Sequence, residues 1–213
     1  MSDRFAAAVF DLDGLLVESE SRWKLAERRF VEERGGTYSA EMGLATTGAS
    51  AGVTARILAA AVGWPEDRID EVPDEVYAAL EQAIDELGLE LMPGAAELVG
   101  SLREAMPLAV ASNTRTETVV RNLTRCGLER SFAAVLGSDG LVPKPAPDVY
   151  LAACRAIDVA PAEAIAFEDS LPGATAARAA GMTVVLVPTD PELVFAADLR
   201  LASLADFSLD LLR

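Results

Sequence analysis

Five short runs of nearly uninterrupted apolar residues constrain the fold of this chain most: AAAVF (6–10), LAVAS (108–112), AAVLG (133–137), AIAFE (164–168) and TVVLV (183–187). A strand with one face in water alternates apolar and polar residues, whereas a strand covered on both faces has no reason to. Between the runs lie helical stretches with readable ends. One spans about Thr116 to Cys126 and is closed by Gly127, one begins near Pro147 and Asp148, and one covers roughly Pro172 to Ala180 before Gly181. Proline at a first turn and glycine just past a last turn are the expected punctuation. The alternation implies an α/β fold with a Rossmann-like, doubly wound parallel sheet.

Residues 17–90 break that rhythm. They contain no convincing strand but three helical patterns: Ser19 to Arg34 before Gly35-Gly36, Ser50 to Val62 before Gly63, and Pro73 to Leu87 before Gly88. In the last, Val76, Leu80, Ala83, Ile84 and Leu87 recur at helical spacing and mark a packed face. The expected organisation is an α/β core of 1–16 and 91–213 with a helical module of 17–90 inserted after the first strand.

A formal charge of −16 argues against a nucleic-acid backbone or an anionic membrane as the main partner, because both require a basic face. No apolar run is long enough to span a bilayer, and MSDRFAAAVFDLD lacks the pattern of a secretory signal, so a cytoplasmic protein is expected. Its Leu/Ala-rich helix faces suit a monomer or a weak homodimer. Histidine is absent, which excludes Ser-His-Asp hydrolysis and His-ligated zinc. Cys126 and Cys154 sit far apart, in no metal-like or redox-like spacing, and are read as core thiols. Any catalysis then falls to carboxylates, hydroxyls, lysine or a bound metal.

In a doubly wound sheet, the loops at the carboxyl ends of the strands meet where ligands bind. Four such ends carry polar residues: DLDG (11–14), SNT (112–114), VPKPAPD (142–148) and EDS (168–170). Together they would gather the carboxylates of Asp11, Asp13, Glu168 and Asp169, too many to share a site without a hard cation, and oxygen-only ligation suits Mg²⁺. Ser112 and Lys144 offer a hydroxyl and a compact positive charge for phosphate oxygens. The chain has only two lysines, Lys24 and Lys144, against sixteen arginines, which makes a lysine in a strand-end loop conspicuous. Two residues of separation between Asp11 and Asp13 match same-side positions of a strand, aiming both carboxylates one way.

The segments VFDLDGLLVESE, VASNT, KPAPDVY and AFEDSLPGATAARAAGM together resemble the haloacid dehalogenase superfamily, most closely its phosphatase and β-phosphoglucomutase-like branch with a helical cap after the first strand. The resemblance implies that Asp11 is the nucleophile and Asp13 the general acid and base. It also implies that Mg²⁺ is held by Asp11, the Asp13 carbonyl and Asp169, with Glu168 nearby or ligating. Ser112 and Lys144 would fix the phosphoryl oxygens, and backbone N–H groups around Leu12, Asp13 and Asn113 would complete the cradle. Glu18 and Glu20, where the cap begins, would contact substrate hydroxyls or simply form a solvated helix start. The expected reaction is hydrolysis of a small phosphate ester, a sugar or polyol phosphate, with the cap closing over it. Dehalogenases of the family lack the second aspartate. Mutases need a basic cap residue, and TTGASAGVTARIL (46–58) has small residues where it would stand, leaving only Arg56. A phosphosugar mutase is the alternative, and a non-catalytic phosphometabolite-binding protein a third reading.

Overall fold

A computed structural model describes residues 5–189, 192 and 194–212; residues 1–4, 190, 191, 193 and 213 of the expected core lie outside it. The strands are β1 (Ala7–Phe10), β2 (Val17–Glu18), β3 (Glu90–Leu91), β4 (Leu108–Ala111), β5 (Ala134–Leu136), β6 (Ala164–Glu168), β7 (Thr183–Leu186) and β8 (Leu199–Arg200). Among the described residues six of them form one sheet in the order β5-β4-β1-β6-β7-β8, every neighbouring pair parallel. Strands β1, β4 and β6 are buried at every position, as their unbroken apolar runs require. The stacked rings of Phe10 and Phe167, 4.6 Å between centroids, join β1 to β6 across the sheet.

The chain divides into two compact units, Met1–Glu18 with Glu90–Arg213, and Ser19–Leu89. The second unit is helical: α1 (Glu20–Glu32), α2 (Ala40–Thr46), α3 (Ala51–Ala61) and α4 (Val72–Leu87). Its core is built on Phe30, Leu58, Val76, Leu80 and Ile84. The Arg22 guanidinium donates from Nε to the Gly88 carbonyl at 2.9 Å, fastening the exit of α4 to the start of α1. Helix α2 was not expected from the sequence; Gly43 interrupts its pattern, and packs where a side chain would meet the Tyr38 hydroxyl.

One buried acid stands out in this unit. Glu27 of α1 is 4% exposed, and its Oε2 accepts from the Tyr38 hydroxyl at 2.7 Å and from Thr46 Oγ1 at 2.8 Å. Burial raises its pKa above the ordinary 4.5, against the two hydroxyls and Lys24. A carboxyl whose folded pKa is raised contributes stability below its unfolded value and loses it as pH rises through the folded value. Because both donors converge on one oxygen, an amide oxygen can accept both. Glu27→Gln is therefore expected to melt above the wild type at pH 8, with the gap closing as pH falls toward 4.5. Melting curves across that range check it; a constant gap would remove the carboxyl as its cause.

The first unit adds α5 (Ala95–Leu102), α6 (Thr116–Arg125), α7 (Asp148–Ala156) and α8 (Leu171–Ala179). Beside the sheet, Val149, Tyr150, Ala153 and Cys154 of α7 and Ala174, Ala176 and Ala177 of α8 share one apolar core with β1, β4, β6 and β7. Cys154 is buried there and Cys126 half-buried. Within the first unit β2 and β3 pair antiparallel, setting Val17 against Leu91 and Glu18 against Glu90. That pair places 17, 18 and 90 with the first unit, where the sequence reading had put them in the helical insertion. No helix of the described residues is long and apolar enough to cross a membrane.

Candidate active site

Strand β1 stops at Phe10, so Asp11 and Asp13 do not sit on a strand as their spacing suggested. The Asp11 N–H still donates to the Phe167 carbonyl of β6 at 3.0 Å, and beyond it the chain folds into a tight loop. The Leu12 carbonyl accepts from the N–H groups of Leu16 (2.9 Å) and Val17 (3.1 Å), while the Gly14 N–H donates to Val17 O at 2.9 Å. Gly14 has φ +83°, and a Cβ there would overlap Asp169 Oδ2, so both conformation and room demand glycine. Leu12 itself is fully buried.

Each aspartate is then claimed by a different set of partners. Asp11 Oδ1 accepts from the Lys144 ammonium at 2.5 Å. Asp13 Oδ2 accepts from the hydroxyls of Thr114 at 2.8 Å and Ser112 at 3.3 Å, both supplied by the end of β4. Ser112 Oγ in turn accepts from the Thr114 N–H at 3.0 Å. Neighbouring carboxyls in unlike surroundings are suited to unlike tasks.

Lys144 is fixed through its backbone and its head. Its N–H donates to Asn113 Oδ1 at 2.8 Å, and the Ser138 hydroxyl donates to the Asn113 carbonyl at 2.7 Å. Asp139 Oδ2 accepts from the Thr116 N–H at 2.6 Å, tying the same loop to the start of α6. Asn113 thus braces the lysine loop with its side chain. An ammonium has three donors. Those of Lys144 reach Asp11 Oδ1 at 2.5 Å, Glu168 Oε1 at 2.6 Å and the Ala111 carbonyl at 2.9 Å.

Glu168 ends β6 fully buried. Its Oε1 accepts from Lys144 and from the Tyr150 hydroxyl at 2.5 Å. Its Oε2 accepts from Ser170 Oγ at 3.1 Å and from the N–H groups of Asp169 (3.2 Å) and Ser170 (3.4 Å). Ser170 caps α8 by accepting from the Gly173 N–H at 3.2 Å, and a Cβ on Gly173 would overlap the Glu168 carboxylate. Asp169 Oδ2 accepts from the Thr189 hydroxyl at 2.9 Å.

One ammonium therefore faces two buried carboxylates. Burial pushes Asp11 up to about 8, opposed by Lys144 and reinforced by Glu168 and Asp13. Burial alone would lower Lys144, but Asp11 and Glu168 outweigh it and hold the ammonium above its ordinary value. Burial, then Glu168, raises Tyr150 well above the usual phenol range, so it is a neutral donor.

The four carboxylates expected to hold a cation are thus divided. Among the described residues no three acidic side chains converge in the way a cation site needs. Five donors, the Lys144 ammonium among them, already reach the oxygens of Glu168, about as many as a carboxylate's lone pairs accept. Asp11, Asp169 and the Asp13 backbone carbonyl form an all-oxygen set that suits Mg²⁺ in kind. Glu18 lies on β2 opposite Glu90. Glu20 opens α1 in the helical unit and stands 3.6 Å from Lys24. Sequence reasoning missed Thr114, Tyr150 and Thr189. Thr114 stands in the SNT segment and Tyr150 in KPAPDVY, whereas Thr189 belongs to no motif that was singled out.

A family profile described as haloacid dehalogenase-like hydrolase matches residues 5–181. Hexitol phosphatase B of Escherichia coli K12 is 33% identical over 210 residues, covering 95% of this chain and 94% of that protein. A fructose-1-phosphate phosphatase of the same organism is 29% identical over 192 residues, covering 87% and 97%. The crystal structure of CbbY from Rhodobacter sphaeroides in complex with phosphate superposes with a TM-score of 0.85 at 29% identity, covering 98% and 99% of the two chains. A β-phosphoglucomutase from Clostridium difficile shares the fold at TM-score 0.86 and 20% identity, covering 97% and 94%. The chain is an enzyme of the haloacid dehalogenase-like hydrolase family, in its phosphatase and β-phosphoglucomutase-like branch.

Proposed function

We infer that the protein hydrolyses a small phosphomonoester, a sugar or polyol phosphate, through a phosphorylated Asp11. The observation that carries this is the separation of two neighbouring acids: Asp11 against the buried ammonium of Lys144, Asp13 against the Thr114 and Ser112 hydroxyls. An Asp11 oxygen attacks phosphorus as the bond to the alcohol oxygen breaks, and Asp13 gives that oxygen its proton. Asp13 then takes a proton from water, whose oxygen attacks phosphorus and releases phosphate from Asp11. Mg²⁺, held by Asp11, Asp169 and the Asp13 carbonyl, supplies charge neutralisation when bound. Ser112 and Lys144, with backbone N–H groups near Leu12, Asp13 and Asn113, are assigned to the phosphoryl oxygens, Lys144 balancing charge beside Asp11 as well. The helical insertion is assigned the role of cap, and Glu18 and Glu20 that of acceptors for substrate hydroxyls. Hexitol and fructose 1-phosphate phosphatases among the relatives support the substrate class.

The test is phosphate release from an aryl phosphate and a panel of sugar and hexitol phosphates, with Mg²⁺ and with a chelator. Release is expected only with the metal and to be fastest on a polyol or sugar ester. An isomerised sugar phosphate formed from a bisphosphate-primed reaction, in place of free phosphate, would make the enzyme a mutase.

A further inference from the structure

Glu168 is fully buried and its two oxygens are anchored from opposite sides. The start of α8 holds Oε2 through two backbone N–H groups and Ser170 Oγ. Oε1 is shared by two donors of different origin. One is the Lys144 ammonium, carried by a loop on a long flexible stem. The other is the Tyr150 hydroxyl at 2.5 Å, on a side chain that is itself fully buried in the apolar core of α7, α8 and the sheet. A close-packed ring has few places to go, so the phenol oxygen is set by the core and not by the site. Its distance to Lys144 Nζ is 3.4 Å, longer than the ammonium's bonds to Asp11, Glu168 and Ala111.

We propose that Tyr150 is a positioning residue whose hydroxyl pins Glu168 Oε1, so that the Lys144 ammonium is aimed at Asp11. The proposal rests on the reading of Asp11 as nucleophile for its kinetic consequence, but not for its structural one. Without the phenol, Oε1 keeps Lys144 as its one donor, and the carboxylate can swing about Oε2, which Ser170 Oγ and the N–H groups of Asp169 and Ser170 still hold. The ammonium then follows Glu168 and loses alignment with Asp11. Turnover suffers, while binding of the substrate's remote groups does not.

The low lysine count makes the structural part directly measurable. Lys24 is exposed, its side chain 43% accessible, and Lys144 is buried, 3% accessible. In the full chain labelled with ¹⁵N at lysine Nζ, the buried ammonium exchanges slowly and gives its own proton–nitrogen correlation, distinct from Lys24. In Tyr150→Phe that signal is expected to shift or broaden away, with kcat down by about tenfold and KM within about twofold. An unmoved signal with unchanged kcat overturns the proposal, as does a rise in KM alone. Should Tyr150→Phe not fold, the wild type labelled with ¹³C at tyrosine Cζ decides: a slowly exchanging, downfield Tyr150 hydroxyl proton supports the pinning, and its absence overturns it. A Lys144 signal that moves in Tyr150→Phe, in a protein releasing phosphate from no ester, upholds the pinning and removes the phosphatase reading instead.

Discussion

With Asp11→Asn, phosphate release is expected to fall to less than about a thousandth of the wild-type rate, while the metal-free protein melts at the same temperature or higher. The two halves of this result have one origin. Asp11 is buried beside Lys144, yet that ammonium also serves Glu168, so the site holds an excess negative charge that burial penalises. An asparagine fills nearly the same volume, can accept from Lys144 through its amide oxygen, and leaves one ammonium with one carboxylate. The chemistry, in contrast, loses the only oxygen assigned to attack phosphorus. Phosphate release against a sugar-phosphate panel, with melting curves in chelator, reads both. Release above a few per cent would end the phospho-aspartate reading, and a large fall in melting temperature would mean that Asp11 holds the fold together.

Gly173→Ala is expected to cost the folded state about 3–5 kcal/mol. In an exposed helix the same change is worth about 1 kcal/mol in the opposite direction, because alanine is the better helix former. Gly173 sits in the first turn of α8, where an added Cβ would occupy the space of the Glu168 carboxylate. Glu168 has no accessible surface through which to withdraw. Either the carboxylate abandons Lys144, Tyr150 and Ser170, or α8 shifts away from β6. Both outcomes leave a buried charge without its donors. Urea denaturation of the two proteins decides; equal or greater stability in the variant would show that the helix yields at little cost.

These two sites differ in how far a reader of the sequence can foresee them. The apolar runs of β1, β4, β6 and β7 are legible because burial on both faces leaves a continuous signature, while β5, half-buried at the sheet edge, carries the same kind of run. Their ends are not. Ser112, Gly137 and Val187 extend the runs without extending the strands, since strand length is decided by the neighbour's ladder. The two-residue strands β2, β3 and β8 are too short for any period to register. Helix α5 was passed over because Gly94, with φ +82°, opens it and Gly100 interrupts it. At the site, Asp11, Asp13, Ser112, Lys144, Glu168 and Asp169 are conspicuous by residue type at strand ends. Glu168 and Asp169 nevertheless read as equals, two acids in a row. What separates them is that one points among Lys144, Tyr150 and Ser170 and the other toward Thr189, which only the folded chain reveals. Tyr150 shows the same limit: in the sequence it is one more bulky residue on the inner face of a helix.

The β2–β3 pair also bears on how such a chain can change. Val17 faces Leu91 and Glu18 faces Glu90, so the insertion departs and returns at adjoining points, and within it Arg22 ties its first turn to Gly88. A segment whose two ends are already neighbours can be lengthened, trimmed or exchanged without rethreading the sheet or lengthening any loop that must close. The parallel strands that carry the carboxylates are then insulated from drift in the insertion, so on the proposed function the preference for one ester over another could diverge while the residues assigned to phosphoryl transfer stay where they are.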